Sequence, residues 1–186
     1  MGKINCGDDM LFEKTVSKKT IYEGRVFDVE IKEITTPEGK TSYREIVKHH
    51  GGACILPIDK EGNCYLVKQF RSPFEEVMLE APAGKLEKDE DPLFCASREI
   101  TEETGFVAGK IEPAGALVAT PGYCSEIISL YIGTELEYKG GNPDETEYIS
   151  TVKMPLKEAV ELADNGTIRD AKTLVLLYKA SRRLGI

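Results

Sequence analysis

Residues 84–106 read GKLEKDEDPLFCASREITEETGF, and this stretch decides the fold of the chain. Asp91 is a suitable side-chain cap for a helix, and Pro92 fits a first helical turn. Gly105 is a suitable stop, because glycine readily takes the left-handed conformation that ends many helices. The stretch therefore predicts one helix between these residues. Apolar positions at helical spacing predict an inward stripe of Leu93, Ala96, Ile100 and Thr104.

Three carboxylates fall beside that stripe. Glu99, Glu102 and Glu103 share a sector of roughly 100° on the predicted helix. Carboxylates this close repel one another, and an ordinary solvated helix would interleave lysines at the i+4 positions. With Arg98 nearby, the cluster suits a hard, oxygen-seeking cation such as Mg²⁺. The helix alone leaves a solvated acidic face open as the alternative.

The spacing around the helix resembles a known signature. Gly84 is followed by five residues and Glu90, and after seven more residues comes REITEETGF at 98–106. This resembles the complete signature of the Nudix hydrolases, in which Gly, Glu, Arg-Glu, Glu-Glu and Gly stand at these intervals. One position departs, because Phe106 stands where the family more often has an aliphatic residue. The resemblance favours a metal site over a solvated face.

The composition excludes some classes of function. The chain has 186 residues, of which 41% are hydrophobic and 30% are charged, as in ordinary globular proteins. The formal net charge of −8 leaves no basic footprint, so we expect no nucleic-acid partner. No N-terminal apolar stretch resembles a signal peptide or a span, so we expect no membrane partner. The five cysteines are odd in number and form no CxxC pair, which favours reduced thiols in a cytoplasmic protein.

The rest of the chain predicts strands and helices in layers. An alternation with a period of two at 11–48 predicts a small antiparallel sheet. Apolar runs at 53–58 and 64–70, separated by a turn, predict a hairpin with a buried centre. Later segments predict strands at 127–132 and 148–152 and helices at 156–163 and 170–183.

The resemblance makes this architecture specific. It implies an α/β (α+β) fold of the Nudix type, an α/β/α sandwich with a mixed sheet between helices. We expect a small N-terminal antiparallel sheet at 1–50 and the Nudix hydrolase domain at 51–186.

The resemblance also implies a set of metal ligands. Glu99 and Glu103 would be the main ligands and Glu102 an additional one, and the backbone carbonyl of Ala83 would be a further ligand. The implied cofactor is Mg²⁺, with Mn²⁺ also possible.

Other residues of the signature have supporting roles by the same resemblance. Arg98 would orient the glutamates through charge-assisted hydrogen bonds. Gly84 would permit the tight turn that presents Ala83. Glu90 would tie the loop to the helix, and Gly105 would end the helix.

Features outside the signature resemble the ADP-ribose pyrophosphatase branch. QFR at 69–71 and EAPAGKLE at 80–87 precede the helix, and IRDAKT at 168–173 leads into the last one. Pro121 lies fifteen residues beyond Phe106, an offset that marks this branch. The N-terminal sheet resembles the piece that this branch exchanges across a homodimer. The implied reaction is ADP-ribose plus water giving AMP and ribose 5-phosphate.

In this branch a loop glutamate outside the signature is thought to act as the base. The matching loop has Glu147 as first choice and Glu145 as second, and a plain solvated loop is the alternative. Arg44, Arg71, Glu80 and Glu126 are candidates for holding the phosphates and riboses, and each is equally suited to a surface salt bridge. Tyr43 or Phe27 is the candidate for stacking on adenine from the partner subunit, although strand aromatics are more often core residues.

Two other functions remain open from the sequence. One is a Nudix pyrophosphatase for another nucleotide sugar, such as a GDP-sugar. The other is a non-catalytic domain that only senses ADP-ribose, although such domains often lose signature carboxylates and this chain keeps them.

Overall fold

The computed structural model describes residues 11–140 and 148–186. Contacts between residues divide the chain into two units. The described part of the first unit consists of 11–49 and 120–126, and the second of 50–119, 127–140 and 148–186. No helix within these described ranges is long and apolar enough to cross a membrane.

The first unit is a three-stranded antiparallel sheet in the order β1-β2-β3. Its strands are β1 (Lys14–Glu23), β2 (Phe27–Thr35) and β3 (Thr41–His49). β1 is exposed along its whole length. This is the small N-terminal antiparallel sheet that the alternation predicts.

The second unit contains seven strands and three helices among its described residues. In chain order these are β4 (Gly52–Pro57), β5 (Asn63–Arg71), β6 (Glu76–Glu80), β7 (Ala83–Lys85), α1 (Pro92–Thr104), β8 (Phe106–Val118), β9 (Ile127–Tyr138), β10 (Ile149–Pro155), α2 (Leu156–Asp164) and α3 (Ala171–Leu184).

Two sheets form the second unit. One has four strands in the order β7-β4-β9-β8, and because β4 and β9 are parallel while the other pairs are antiparallel, it is mixed. The other has three antiparallel strands in the order β10-β5-β6.

Strand β4 is buried on both faces, so its successive side chains enter different cores. Ala53 and Ile55 pack in a cluster with Ala96 and Ile100 of α1. The alternate residues of β4 join a larger cluster that includes side chains of α2 and α3. The mixed sheet therefore lies between helices, which is the layering expected of the α/β/α sandwich.

The predicted hairpin at 53–70 is wrong. β4 and β5 lie in different sheets, and only an isolated bridge between Ile58 and Cys64 joins the two runs across the turn. The edges of β4 pair with β7 and β9, and those of β5 pair with β6 and β10. A continuous apolar run predicts burial, but it does not say which strand will be the partner.

The predicted stripe of α1 needs one correction. Ala96, Ile100 and Thr104 are buried as expected, whereas Leu93 is 44% exposed. Cys95 is buried in its place. Leu93 lies in the first helical turn, and there the core side of α1 is covered by Cys95, which contacts the backbone carbonyls of Gly84 and Lys85.

Candidate active site

Helix α1 presents the signature carboxylates, and both of its ends are fixed by local bonds. Asp91 Oδ1 accepts from the backbone N–H of Leu93 at 2.8 Å and from that of Phe94 at 3.3 Å. At the other end Gly105 takes φ 75°, and its N–H donates to the Thr101 carbonyl at 2.9 Å. These caps fix where the helix begins and ends. The packing of Ala96 and Ile100 against Ala53 and Ile55 of β4 sets the side on which its glutamates lie.

Arg98 forms ion pairs with three carboxylates. Its Nη1 lies 2.8 Å from Glu99 Oε1 and 2.8 Å from Glu102 Oε2, and its Nε lies 3.2 Å from Glu90 Oε1. Burial alone would lower the pKa of Arg98, but the bond to Glu90 and the charges of Glu99 and Glu102 raise it. The guanidinium therefore stays charged and holds carboxylates that would otherwise repel one another.

Two of the signature glutamates, Glu99 and Glu103, are buried against strand β7. Glu99 is 8% exposed and Glu103 is 9% exposed. Glu103 Oε2 accepts from the Ala83 backbone N–H at 3.2 Å. The Glu99 carboxylate lies directly beside Gly84, where a Cβ would stand 1.6 Å from its Oε1. The structure therefore brings Ala83, Gly84 and both glutamates together.

Glu90 links the loop before α1 to the helix. Its Oε2 accepts from the Glu87 backbone N–H at 2.9 Å, while its Oε1 takes the bond from Arg98. Burial would raise the pKa of Glu90, but the bonds from Glu87 and Arg98 lower it below its ordinary value.

The donor set can be tested against a metal ion. Glu99, Glu102, Glu103 and the Ala83 carbonyl supply only oxygen donors, the kind preferred by hard divalent cations such as Mg²⁺. Within the described residues no group of three or more His, Cys, Asp or Glu side chains converges as a metal site. The glutamates are instead engaged by Arg98 and by the Ala83 N–H. The residues fit the ion by their chemistry.

Two predicted substrate-binding residues form an ion pair in the second unit. Arg71 Nε donates to Glu80 Oε1 at 2.6 Å and Nη2 donates to Oε2 at 2.8 Å. Glu80 is only 2% exposed. Burial alone would raise the pKa of Glu80, but the bonds from Arg71 and the charge of Lys172 lower it to about 2. Glu80 is therefore an ionised, buried carboxylate that orients Arg71.

The remaining substrate candidates lie in the first unit. Arg44 pairs with Glu13 and also donates to Ser42 Oγ at 3.0 Å. Glu126 Oε1 lies 3.4 Å from His49 Nδ1. Tyr43 is 63% exposed and Phe27 is 40% exposed. Pro121, which was predicted to be structural, is the second residue of the turn of 120–123.

The two candidates for the base, Glu145 and Glu147, lie outside the described residues. The described chain resumes at Tyr148, directly before β10.

Sequence reasoning missed the first turn of α3 as part of this region. Lys172 Nζ donates to Glu80 Oε2, and Thr173 Oγ1 accepts from the Ala81 backbone N–H at 2.7 Å. The only signal was the run IRDAKT at 168–173, which resembles the C-terminal end of the ADP-ribose pyrophosphatase branch and says nothing about contacts.

The family model of the NUDIX domain matches residues 48–177, which include the whole signature and the turn of α3. The chain belongs to the Nudix family. The predicted class of enzyme, a Nudix hydrolase, is confirmed. Nudix hydrolases generally use divalent metal ions, which agrees with the oxygen donors around α1.

Several relatives match over most of their length. The ADP-ribose pyrophosphatase of Bacillus subtilis is 40% identical, with 88% of this chain and 89% of that protein covered. The methanol dehydrogenase activator of Bacillus methanolicus is 38% identical with the same coverage, 88% and 89%. The GDP-mannose pyrophosphatase of Cronobacter sakazakii is 35% identical, with 75% and 78% covered.

A solved structure has the same fold. It is the crystal structure of an ADP compounds hydrolase, which superposes with a TM-score of 0.81 at 20% identity and covers 93% of this chain and 94% of its own. The predicted Nudix-type fold is confirmed.

Proposed function

We propose that this Nudix hydrolase cleaves the pyrophosphate of ADP-ribose with water, giving AMP and ribose 5-phosphate. The observation that carries the proposal is the intact carboxylate cluster around Arg98, in a chain 40% identical to an ADP-ribose pyrophosphatase. Hydrolysis of a pyrophosphate depends mainly on charge neutralisation and placement of the attacking water. A carboxylate cluster that can hold cations serves the first of these needs.

In this proposal Glu99, Glu103, Glu102 and the Ala83 carbonyl hold the metal, which is Mg²⁺ or Mn²⁺. When bound, a divalent ion screens phosphate oxygens and lowers the pKa of water. Arg98 holds Glu99 and Glu102 close together through its ion pairs with them. Glu147, or second Glu145, serves as the base that takes the proton of the attacking water.

Several residues outside the signature are proposed to contact the substrate. Arg71 suits the phosphates, because a guanidinium fork matches phosphate oxygens. Arg44 and Glu126 are proposed to hold phosphate and ribose, and Tyr43 or Phe27 to stack on adenine.

We also propose a cytoplasmic homodimer. The support is the first unit, in which β1 is exposed on every residue and carries apolar side chains such as Val16 (58% exposed) and Ile21 (54% exposed). Exposed apolar side chains on one strand indicate an interaction surface, and a second copy of the chain would cover them. Light scattering at micromolar concentration tests this, and a monomer would contradict it.

The activity is tested with a panel of substrates. Purified protein with Mg²⁺ is given ADP-ribose, ADP-glucose, GDP-mannose, NADH and a nucleoside triphosphate, and the nucleotide products are separated by chromatography. Selective release of AMP and ribose 5-phosphate from ADP-ribose is the expected result. Tight binding of ADP-ribose without turnover of any substrate would contradict it and favour a sensing domain.

The second candidate is a pyrophosphatase for another nucleotide sugar. The observation that favours it is the 35% identity to a GDP-mannose pyrophosphatase over most of both chains. Faster turnover of GDP-mannose than of ADP-ribose in the same assay would establish this alternative.

A further inference from the structure

The first turn of α3 contacts the ion pair of Arg71 and Glu80. Lys172 Nζ donates to Glu80 Oε2, and it also donates to Asp170 Oδ1 at 2.8 Å. The side chains of Lys172 and Glu80 are 11% and 3% exposed, so their charges meet largely out of water. The two cations and two anions of this group sum to zero charge.

Lys172 is held in place by the cap of its own helix. Asp170 Oδ2 accepts from the Thr173 backbone N–H at 2.9 Å and from its hydroxyl at 2.5 Å. The same hydroxyl accepts from the Ala81 backbone N–H at 2.7 Å, and Thr173 is fully buried. The first turn of α3, which carries Lys172, is therefore hydrogen-bonded to Ala81, the residue that follows Glu80.

Arg71 keeps donors for another partner. A guanidinium has five N–H groups, and the bidentate pair with Glu80 uses one on Nε and one on Nη2. The Arg71 side chain is also 36% exposed, whereas Glu80 beneath it is buried. The remaining N–H groups are thus available to an anion that approaches from solvent.

We propose that Lys172 is a positioning residue, which neutralises Glu80 so that Arg71 presents its remaining N–H groups and its charge to the phosphates of the substrate. The proposal rests on the proposed hydrolysis of a nucleotide sugar. Without Lys172 the group would carry a net charge of −1, and Arg71 would be the only cation beside two carboxylates. Its attraction for phosphate would then weaken equally in the ground state and the transition state. Such a loss raises KM and leaves kcat nearly unchanged.

The kinetic test compares three variants. Lys172→Met keeps the length of the side chain and removes the charge, and Lys172→Arg restores a charge. Lys153→Met is the control, because Lys153 is also an ion-paired lysine, with Asp59 at 2.8 Å, but its side chain is 51% exposed. We expect KM for ADP-ribose to rise about tenfold in Lys172→Met, to recover at least partly in Lys172→Arg, and to stay at the wild-type value in Lys153→Met.

A second measurement does not depend on turnover. The Nε–H signal of Arg71 in a ¹H–¹⁵N spectrum, assigned by its loss in Arg71→Lys, reports the bond to Glu80. We expect Lys172→Met to shift or broaden this signal and Lys153→Met to leave it unchanged. An Arg71 signal and a KM that are both unchanged in Lys172→Met would overturn the proposal, as would Lys172→Arg behaving no better than Lys172→Met. If wild-type protein turned over no nucleotide sugar while the signal still depended on Lys172, the hydrolase function would fail and the positioning of Arg71 would stand.

Discussion

The carboxylate of Glu99 occupies the space in which a side chain at residue 84 would begin. A Cβ built on Gly84 would lie 1.6 Å from Glu99 Oε1 and 2.1 Å from its Cδ. Gly84 does not adopt a positive φ, so the backbone itself would accept another residue. Glycine at this position is therefore required for space, because it lets a buried glutamate of α1 lie against the strand that carries Ala83.

Replacing Gly84 with alanine should displace the Glu99 carboxylate and leave the fold intact. The clashing atoms are the end of a flexible side chain, so we expect the free energy of unfolding to change by only about 1 kcal/mol. We expect kcat for ADP-ribose to fall about 100-fold, because a ligand of the proposed metal site moves. Steady-state kinetics and thermal unfolding measure the two effects.

A double-mutant cycle shows whether Gly84 acts through Glu99. In Glu99→Gln the proposed ligand is already impaired, so Gly84→Ala should cost much less in that background than in the wild type. Additive losses in the double variant would mean that the glycine acts through some other group.

The sequence predicted α1 well because its signals are local. Asp91, Pro92 and Gly105 lie at the ends of the helix, and the bonds that they make span only a few residues. The carboxylate cluster could be predicted for the same reason, since helical geometry places residues three and four apart on one side of the helix.

Contacts between residues distant in sequence could not be predicted from the sequence. The apolar run of β4 predicted burial, but it did not indicate that β7 and β9 would flank it. Glu80 and Lys172 are 92 residues apart, and no local pattern indicated that they would pair. Burial and pairing of such charges are set by tertiary packing, which no local pattern encodes.

The buried glutamates should dominate metal affinity. We expect Glu99→Gln and Glu103→Gln each to weaken Mn²⁺ binding about 10- to 100-fold, because each removes a charged oxygen donor from a site of few ligands. Calorimetric titration with Mn²⁺ measures this without turnover. Glu112→Gln is the control, since Glu112 forms only an exposed pair with Lys110 at 3.0 Å. Equal affinity in Glu99→Gln and wild type would remove Glu99 from the metal site.

Measurements of kcat and of Mn²⁺ affinity should distinguish the proposed base from the proposed metal ligands. Glu147→Gln is expected to lower kcat for ADP-ribose by a factor of about 10² to 10⁴, with little change in Mn²⁺ affinity. Glu145→Gln, two residues away in the same segment, is the matched variant and should lose less. If Glu145→Gln lost more activity than Glu147→Gln, the assignment of the base would pass to Glu145.

The Glu80 carboxylate should make stability depend on pH in acid. Its pKa of about 2 in the folded chain lies below the ordinary value of 4.5, because Arg71 and Lys172 outweigh the effect of burial. A lowered pKa contributes stability that is complete above about pH 4.5 and is lost as the pH falls towards 2. The difference between the two pKa values corresponds to about 3 kcal/mol of folding stability.

Urea unfolding of wild type and Glu80→Gln between pH 3 and pH 7 tests this. We expect Glu80→Gln to be less stable by about 3 kcal/mol at pH 7, since it leaves Arg71 and the largely buried Lys172 with one carboxylate fewer. The difference in free energy of unfolding between wild type and Glu80→Gln should decrease steadily below pH 4.5, because the wild type then begins to lose the contribution of the ionised carboxylate. Glu76→Gln on the same strand is the control, because its pair with Arg169 is exposed and should contribute less than about 1 kcal/mol at any pH. A gap that stays constant down to pH 3 would show that Glu80 stabilises the fold by packing and not by its charge.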